Sequence, residues 1–183
     1  MIKLGHDGLT TCLNRGAFIT LVDAYLAQVN VAAEPTCSGL LMVDADHFKS
    51  INDRFGHSAG DNALRLLANG IKGVLRAADL IGRVGGEEFA VFLPVTQLVD
   101  AERVGERIMS AVNNLNFSPA GRPEMLSVSI GGAVFRGPVS FAELFSTADA
   151  RLYDAKRRGR NRAEYSAVGN IATPPLGQLS ASK

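Results

Sequence analysis

The sequence has few of the residues that mark secreted, metal-scaffolded or membrane-spanning proteins. It contains two cysteines, Cys12 and Cys37, and their spacing fits neither a zinc motif nor a disulfide framework. No apolar run approaches the roughly 20 residues of a membrane-spanning helix, and residues 1–6 lack the apolar core of a signal peptide. We therefore expect a cytoplasmic protein without a membrane segment, whose reduced cysteines serve as small apolar side chains.

An excess of charge of one sign is also lacking. Lysine and arginine number 19 and aspartate and glutamate 18, so the formal net charge is +1. Proteins that bind nucleic acid polymers depend on a basic surface for much of their affinity. The balance of charge therefore argues against a nucleic acid polymer as a partner.

What the sequence does contain suits a single globular domain. Its 183 residues, 46% of them hydrophobic, can bury a substantial core. From residue 166 onward the residues are small, include adjacent prolines and show no periodicity. We expect a domain over residues 1–165 and a disordered tail over residues 166–183.

Hydrophobic periodicity predicts strands separated by helices. Apolar residues three or four positions apart indicate helices with one buried face within residues 14–31, 64–75, 100–115 and 140–158. Residues 47–55 are predicted to form a short helix or turn that ends at Gly56. Strands are predicted over residues 39–43, 79–94 as a hairpin, 126–135 and 163–165. Residues 57–61 are predicted to form a loop. This order predicts an α/β (α+β) fold, with a mixed central β-sheet flanked by helices.

Two of these strands differ in their predicted burial. Residues 39–43 are continuously apolar, which is typical of a central strand covered on both faces. Residues 126–130 alternate between apolar residues and serine, which is typical of a half-buried strand.

Two aspartates stand where the apolar strand ends. Asp44 and Asp46 are two residues apart and share a face for as long as the strand continues. Carboxylates at the end of a buried strand are costly unless they are paired or bind a metal. For Asp44 we favour a metal ligand. For Asp46 a ligand and an N-cap of the next helix are equally good interpretations.

Two adjacent glutamates lie at the tip of the predicted hairpin. Gly85-Gly86 between two apolar runs favours a tight turn, because glycine accepts the positive φ that such turns require. Glu87 and Glu88 follow, and adjacent side chains on a strand point to opposite faces. A solvated turn with two surface acids has the same pattern. We expect the two glutamates to have different roles.

A basic helix end can complement these acids. Lys156 and Arg160 belong to a cluster of basic residues that is larger than a helix C-terminus needs. Carboxylates from neighbouring strands can hold Mg²⁺, and lysine or arginine beside them would neutralise phosphate oxygens. No P-loop or serine-hydrolase motif is present. The residues alone predict a metal-dependent enzyme or a binder of phosphate-bearing nucleotides.

Four ordered motifs extend over nearly the whole chain. They are Asp7-x-Leu9-Thr10 with Asn14-Arg15, Asp44-x-Asp46-x-Phe48-Lys49-x-x-Asn52-Asp53-x-x-Gly56-His57-x-x-Gly60-Asp61, Arg83-x-Gly85-Gly86-Glu87-Glu88-Phe89 and Asp149-x-x-Leu152-Tyr153-x-Ala155-Lys156-x-x-Gly159-Arg160-Asn161. With these motifs the chain resembles the GGDEF family of diguanylate cyclases, in its Gly-Gly-Glu-Glu-Phe variant. The resemblance implies a βααββαβ core, similar to polymerase palms and nucleotide cyclases. It also implies that two GTP molecules condense into cyclic di-GMP with release of pyrophosphate.

The resemblance also implies cofactors and partners. Mg²⁺ (or Mn²⁺) would be the cofactor, and a homodimer, at least a transient one, would bring two GTP molecules together. Family members usually carry an N-terminal sensor domain, so we expect one to be missing from this chain. A catalytically idle module that binds cyclic di-GMP or GTP as a receptor is the alternative.

Site residues follow from the motif positions. The resemblance implies that Asp44 and Glu88 bind the metal with the carbonyl of Ala45, and that Glu87 lies near the attacking hydroxyl. The residues implied to bind GTP are Phe48, Lys49, Asn52, Asp61, Gly86, Lys156 and Arg160. An inhibitory site for the product is implied at Arg76-x-x-Asp79, completed by Arg107 or Arg103.

Overall fold

The structure is a computed structural model that describes residues 5–32 and 36–168. Its strands are β1 (Leu13–Asn14), β2 (Cys37–Ala45), β3 (Leu80–Arg83), β4 (Glu88–Leu93), β5 (Val128–Arg136) and β6 (Ala163–Val168). Its helices are α1 (Arg15–Val29), α2 (Phe48–Phe55), α3 (His57–Lys72), α4 (Leu98–Asn113) and α5 (Phe141–Arg157), with a short 3-10 turn at Pro119–Gly121.

The described strands form one mixed sheet in the order β1-β3-β4-β2-β5-β6. β2 pairs antiparallel with both β4 and β5, whereas β5 and β6 are parallel, as are β1 and β3. From β2 to β5 the elements follow the βααββαβ order. The predicted α+β fold with a mixed central sheet is therefore confirmed.

Helices cover both faces of this sheet. On one face α1 and α5 bury side chains such as Leu40 and Phe92. On the other face α3 and α4 bury side chains such as Leu41 and Val43. Because successive residues of a strand point to opposite faces, the continuous apolar run of β2 supplies both cores. The prediction of a central strand covered on both faces is confirmed.

Two local predictions are wrong. The predicted loop at residues 57–61 is the start of α3, because Gly56 alone, with φ 83°, reverses the chain between α2 and α3. β5 is buried on both faces from Val128 to Phe135 rather than half-buried. Its Ser129 is fully buried, which is tolerated because the hydroxyl donates a hydrogen bond to Asp46.

Both edges of the sheet contain strand residues that the sequence did not predict. The two-residue strand β1 was not predicted. At the other end, β6 continues to Val168 because its backbone pairs with β5 as far as Phe135, so the predicted domain end at residue 165 falls inside this strand. The rest of the predicted tail, residues 169–183, lies outside the described residues.

Helix α5 is fixed at both ends. At its start, Ser140 and Glu143 form a capping box: the Ser140 N–H donates to Glu143 Oε2 (2.9 Å) and the Glu143 N–H donates to Ser140 Oγ (3.2 Å). At its end, Gly159 has φ 113°, and the Arg160 N–H donates to the carbonyl of Ala155 (3.1 Å). This Schellman turn stops the helix at a defined residue.

Gly131 of β5 allows α5 to lie directly on the sheet. A β-carbon at this position would overlap the backbone of Ala148 and Leu152 in α5. A side-chain rotation could not relieve that overlap, because the atoms belong to the helix backbone. The close contact therefore sets how near α5, and with it Lys156, comes to the strand ends.

Cys12 is buried, with 1% of its surface exposed, and it is a free thiol, as is the partly buried Cys37. Burial raises the pKa of the Cys12 thiol, in agreement with its predicted apolar role. Within the described ranges, no helix combines the length and the apolar character that crossing a bilayer needs.

Candidate functional site

An acid pair lies where β2 ends and β4 begins. Asp44 stands directly opposite Glu88 in the antiparallel register, so both side chains point to the face covered by α1 and α5. Only 6% of Asp44 is exposed, and the Nζ of Lys156 in α5 lies 2.8 Å from its Oδ2. Burial raises the pKa of Asp44, and the ion pair with Lys156 opposes that rise only in part.

The hairpin loop between β3 and β4 does not use positive φ angles, so that prediction is wrong. Gly85 and Gly86 are both outside the left-handed region. The loop is closed instead by the N–H groups of Val84 and Gly85, which donate to the carbonyl of Glu88 at 2.9 and 3.3 Å. A β-carbon at Gly85 would overlap the Glu88 carboxylate, whereas one at Gly86 would face open space. Gly85 therefore provides room for Glu88.

Glu87 belongs to this loop rather than to the strand. Because β4 begins at Glu88, the predicted alternation to opposite faces does not apply to Glu87. Burial raises the pKa of Glu87, and the charges of Asp44 and Glu88 raise it further. Glu87 therefore lies close enough to Asp44 and Glu88 for their charges to act on it at one end of the sheet.

Arg83 holds the loop in place, which the sequence did not reveal. Its Nε and Nη2 donate to the carbonyl of Gly86 at 3.1 and 2.6 Å, and its Nη1 lies 3.1 Å from Oδ1 of Asp7. The Asp7 carboxylate also accepts from the N–H and the hydroxyl of Thr10. The available signal was the position of Arg83 within the glycine motif.

We expect Asp7→Asn to destabilise the protein more at neutral than at acid pH. Burial opposes ionisation of Asp7, but the hydrogen bonds from Thr10 and the charge of Arg83 outweigh it and lower the pKa. A lowered folded-state pKa stabilises the fold above the unfolded pKa, and this contribution is lost as pH falls through the folded value. Urea unfolding at about pH 7 and about pH 3 measures the change. An equal loss of unfolding free energy at both pH values would contradict the prediction. The control is Asp23→Asn, an exposed position on α1.

The Asn52 side chain lies against the backbone of Gly60, across the junction of α2 and α3. A β-carbon on Gly60, the residue before Asp61, would overlap the Asn52 side chain. Asn52 is half-buried and Asp61 is exposed. Asp61 lies beyond the first turn of α3, so complementing the helix dipole does not explain it.

Helix α2 begins beside the acid pair without a side-chain cap. Phe48 is buried and anchors the helix in the core, and Lys49 is exposed. The N-cap residue is His47, in the left-handed region with φ 55°, and its side chain makes no capping hydrogen bond. The first turn therefore presents backbone N–H groups, which favour anions.

The basic residues at the end of α5 have separate roles. Lys156 pairs with Asp44, whereas Arg158 pairs with Glu164, its Nη1 2.8 Å from Oε2. Arg160 is exposed, and its side chain forms no ion pair with any residue in the described part of the chain. Its charge nevertheless lowers the pKa of Asp44, so it lies close enough to act on the acid site.

Asp46 is neither an N-cap nor an open ligand. The N-cap of α2 is His47, and only 7% of Asp46 is exposed. Its Oδ1 accepts from Ser129 Oγ (2.7 Å), and its Oδ2 accepts from Ser127 Oγ (2.8 Å) and from the Asn161 N–H (3.0 Å). The interpretation as an N-cap is wrong.

The candidate product site lies apart from the acids, in the turn between α3 and β3. The Asp79 carboxylate accepts from the backbone N–H of Arg76 (2.8 Å), and the Asp79 N–H donates to the Arg76 carbonyl (3.1 Å). The exposed Arg76 side chain is not needed for this turn. On α4, the Nη1 of Arg103 lies 3.5 Å from the Oδ1 of Asp100. Arg107, on the same helix, is exposed and forms no ion pair within the described residues.

Comparison with known proteins identifies the family. A family model described as "Diguanylate cyclase, GGDEF domain" matches residues 4–162. The chain belongs to this family. Diguanylate cyclase DosC of Escherichia coli (strain K12) is 39% identical to it over 163 residues, which cover 88% of this chain and 35% of DosC. The chain thus spans about a third of the length of the first curated relatives that it matches.

Solved GGDEF domains have the same fold. The GGDEF domain of DgcB from Caulobacter crescentus, solved in complex with c-di-GMP, is 34% identical with a TM-score of 0.82, and the match covers 87% of this chain and 94% of that one. The active GGEEF domain of a diguanylate cyclase from Vibrio cholerae is 32% identical with a TM-score of 0.76, covering 84% of this chain and 96% of that one.

Proposed function

We propose that this GGDEF domain is an active diguanylate cyclase that condenses two GTP molecules into cyclic di-GMP and releases two pyrophosphates. The observation that carries the proposal is the convergence of three acids, Asp44, Glu87 and Glu88, with Lys156 and Arg160 at one end of the sheet. A domain that only bound the product would not need this combination. The names of its relatives support the same activity.

The acid site suits a magnesium ion. Burial is the main cause of the raised pKa values of Asp44 and Glu87, and a bound cation would compensate for the water that these carboxylates lose. Within the described residues, no three histidine, cysteine or acidic side chains form a metal cage of their own. We propose that Asp44 and Glu88, with the carbonyl of Ala45, hold Mg²⁺ (or Mn²⁺), which prefers oxygen ligands. When bound, the ion would supply charge neutralisation at the reacting phosphate.

The phosphate chain of GTP would lie between α2 and the end of α5. The uncapped first turn at Phe48 and Lys49 would donate backbone hydrogen bonds to phosphate oxygens. Lys156 and Arg160 would neutralise the remaining charge from the other side. At Gly86 the open space leaves room for the nucleotide against the loop backbone.

The guanine and the attacking hydroxyl would contact other side chains. Asn52 and Asp61 would bind the edge of the guanine, since an amide and a carboxylate match its donors and acceptors. Glu87 would accept the proton of the attacking ribose hydroxyl, a role that its raised pKa suits. Each domain would hold one GTP, so two copies must face each other for the reaction.

Incubation of the chain with GTP and Mg²⁺, followed by chromatography of the products, tests the proposal. We expect cyclic di-GMP and pyrophosphate, and a rate per subunit that rises with protein concentration because the reaction needs a homodimer. Binding of cyclic di-GMP with no turnover at high protein concentration would instead support the idle receptor. A rate per subunit independent of concentration would contradict transient dimerisation.

We further propose that cyclic di-GMP inhibits the enzyme through Arg76 and Asp79, with Arg107 or Arg103 contributing from α4. Arginine binds phosphates in a bidentate manner and stacks on guanine. The exposed Arg76 guanidinium is available for this, since the turn uses only its backbone.

We expect Arg76→Ala to raise the cyclic di-GMP concentration needed for half-inhibition by at least about tenfold. The turn should survive the substitution because Asp79 accepts from the backbone of residue 76. Initial rates measured over a series of added cyclic di-GMP concentrations give the half-inhibition point. Arg65→Ala, an exposed position on α3, is the matched control. An unchanged half-inhibition point in Arg76→Ala would show that the site is elsewhere.

A further inference from the structure

Asp46 is a buried acid to which the proposed mechanism gives no role. Three hydrogen bonds occupy its two oxygens: two from the hydroxyls of Ser127 and Ser129 at the start of β5, and one from the backbone N–H of Asn161. A carboxylate with both oxygens committed in this way is a poor candidate for a metal ligand. It joins three separate parts of the chain: the end of β2, the start of β5 and the turn after α5.

The turn after α5 needs such a support. Arg160 and Asn161 both lie in the left-handed region, with φ of 63° and 45°. Two consecutive residues with a β-carbon in this region cost free energy, so they persist only where surrounding contacts hold them. The Schellman bond from the Arg160 N–H holds one side of the turn. The bond from the Asn161 N–H to Asp46 holds the other side.

This turn carries Arg160, the most exposed part of the proposed phosphate clamp. The Arg160 side chain forms no ion pair with another described residue that would orient it, so its direction depends on the backbone of the turn. Asp46 is two residues from Asp44 and its charge acts on that residue. A single segment at the end of β2 therefore contains a proposed metal ligand and fixes the turn that bears the clamp.

We propose that Asp46 is a positioning residue that holds Arg160 in place to bind the β- and γ-phosphates of GTP. The proposal rests on the proposed function, because it takes GTP as the ligand of Arg160. Asp46 itself touches neither the nucleotide nor the metal. Its contribution should appear in the affinity for the triphosphate and depend on Arg160.

Binding of the α,β-methylene analogue of GTP, measured by calorimetry with Mg²⁺, tests the proposal. We expect Asp46→Ala to weaken binding by about tenfold, as expected for loss of a charge-assisted hydrogen bond that orders the turn. GMP, which lacks the two outer phosphates, should bind within about twofold of its native affinity. Asp46→Asn should restore most of the triphosphate affinity, because its amide oxygen can still accept from Asn161. An amide would not restore a lost metal ligand.

Two further variants separate positioning from general damage to the fold. Ser129→Ala removes a buried hydrogen bond of the same carboxylate but keeps the bond to Asn161, so it should leave triphosphate binding within about twofold. In an Arg160→Ala background, Asp46→Ala should weaken binding by less than about twofold, because the two residues act through one contact. A full tenfold loss in that background would overturn the proposal.

Amide hydrogen exchange in the native protein covers the case in which Asp46→Ala does not fold. The Asn161 amide, bonded to a buried carboxylate, should exchange at least about 100-fold more slowly than an unstructured peptide. Exchange at the unstructured rate would overturn the proposal. Failure of the native protein to bind the analogue would overturn the proposed function and this inference together. Normal binding by native protein and Asp46→Ala alike would overturn only the inference.

Discussion

Asp44→Asn should reduce cyclic di-GMP formation by about 1,000-fold or more while the chain stays folded. Asparagine has the same shape as aspartate but lacks the charge that a divalent cation requires. The fold should tolerate the change because burial already opposes the charge of Asp44 and raises its pKa. Removing a buried charge also removes its desolvation cost, so the free energy of unfolding should change by less than about 1 kcal/mol. Lys156 would lose its partner, but its side chain is 34% exposed and can turn to solvent.

Turnover of GTP by Asp44→Asn checks the expected loss of activity. Chemical unfolding of the same preparation checks that the free energy of unfolding is nearly unchanged. Asp23→Asn, which makes the same chemical change at an exposed site on α1, should keep its activity within about twofold because surface substitutions are usually mild. If Asp44→Asn kept more than about a tenth of the native rate, Asp44 could not be a ligand of the metal that the reaction needs.

Gly131→Ala should destabilise the fold by about 3 kcal/mol and lower the melting temperature by about 6 to 12 °C. The added methyl group would overlap the α5 backbone at Ala148 and Leu152. To accommodate it, α5 must move away from β5, which loosens the core on that face of the sheet. The same displacement would separate Lys156 from Asp44, so activity should fall at temperatures where the variant is still folded.

The melting temperature of Gly131→Ala, measured by thermal unfolding, is compared with that of the control variant Gly70→Ala. Gly70 lies within α3, where a β-carbon would come 3.4 Å from the Leu115 side chain, an ordinary contact. Alanine there should leave stability unchanged or raise it by up to about 1 kcal/mol through helix propensity. Equal melting temperatures for the two variants would show that α5 does not depend on the close approach.

The sequence predicted those features that depend on local patterns. The helix start at Ser140 follows from a capping box that any chain with this spacing can form. The helix end at Gly159 follows from the need for a left-handed residue. The burial of β2 follows from its continuous apolar run. Each of these depends on residues close together in the chain, so one sequence is enough to predict them.

Features that depend on distant partners could not be predicted in this way. Asp46 is explained by Ser127, Ser129 and Asn161, which lie between 81 and 115 residues away. Arg83 is explained by Asp7, 76 residues away. The prediction for the hairpin loop was wrong for a different reason. Glycine suggested positive φ, whereas Gly85 leaves space for the Glu88 carboxylate, which a β-carbon there would force to move.

The pairing of β2 with β4 also keeps Asp44 and Glu88 side by side although their negative charges repel each other. Asp44 and Glu88 face each other because Leu40 faces Phe92 and Val43 faces Phe89 in the same ladder. Sliding one strand by a residue would separate the two carboxylates, but it would also turn every core side chain of that strand to the wrong face. The apolar ladder therefore prevents electrostatic repulsion from pushing the two acids apart.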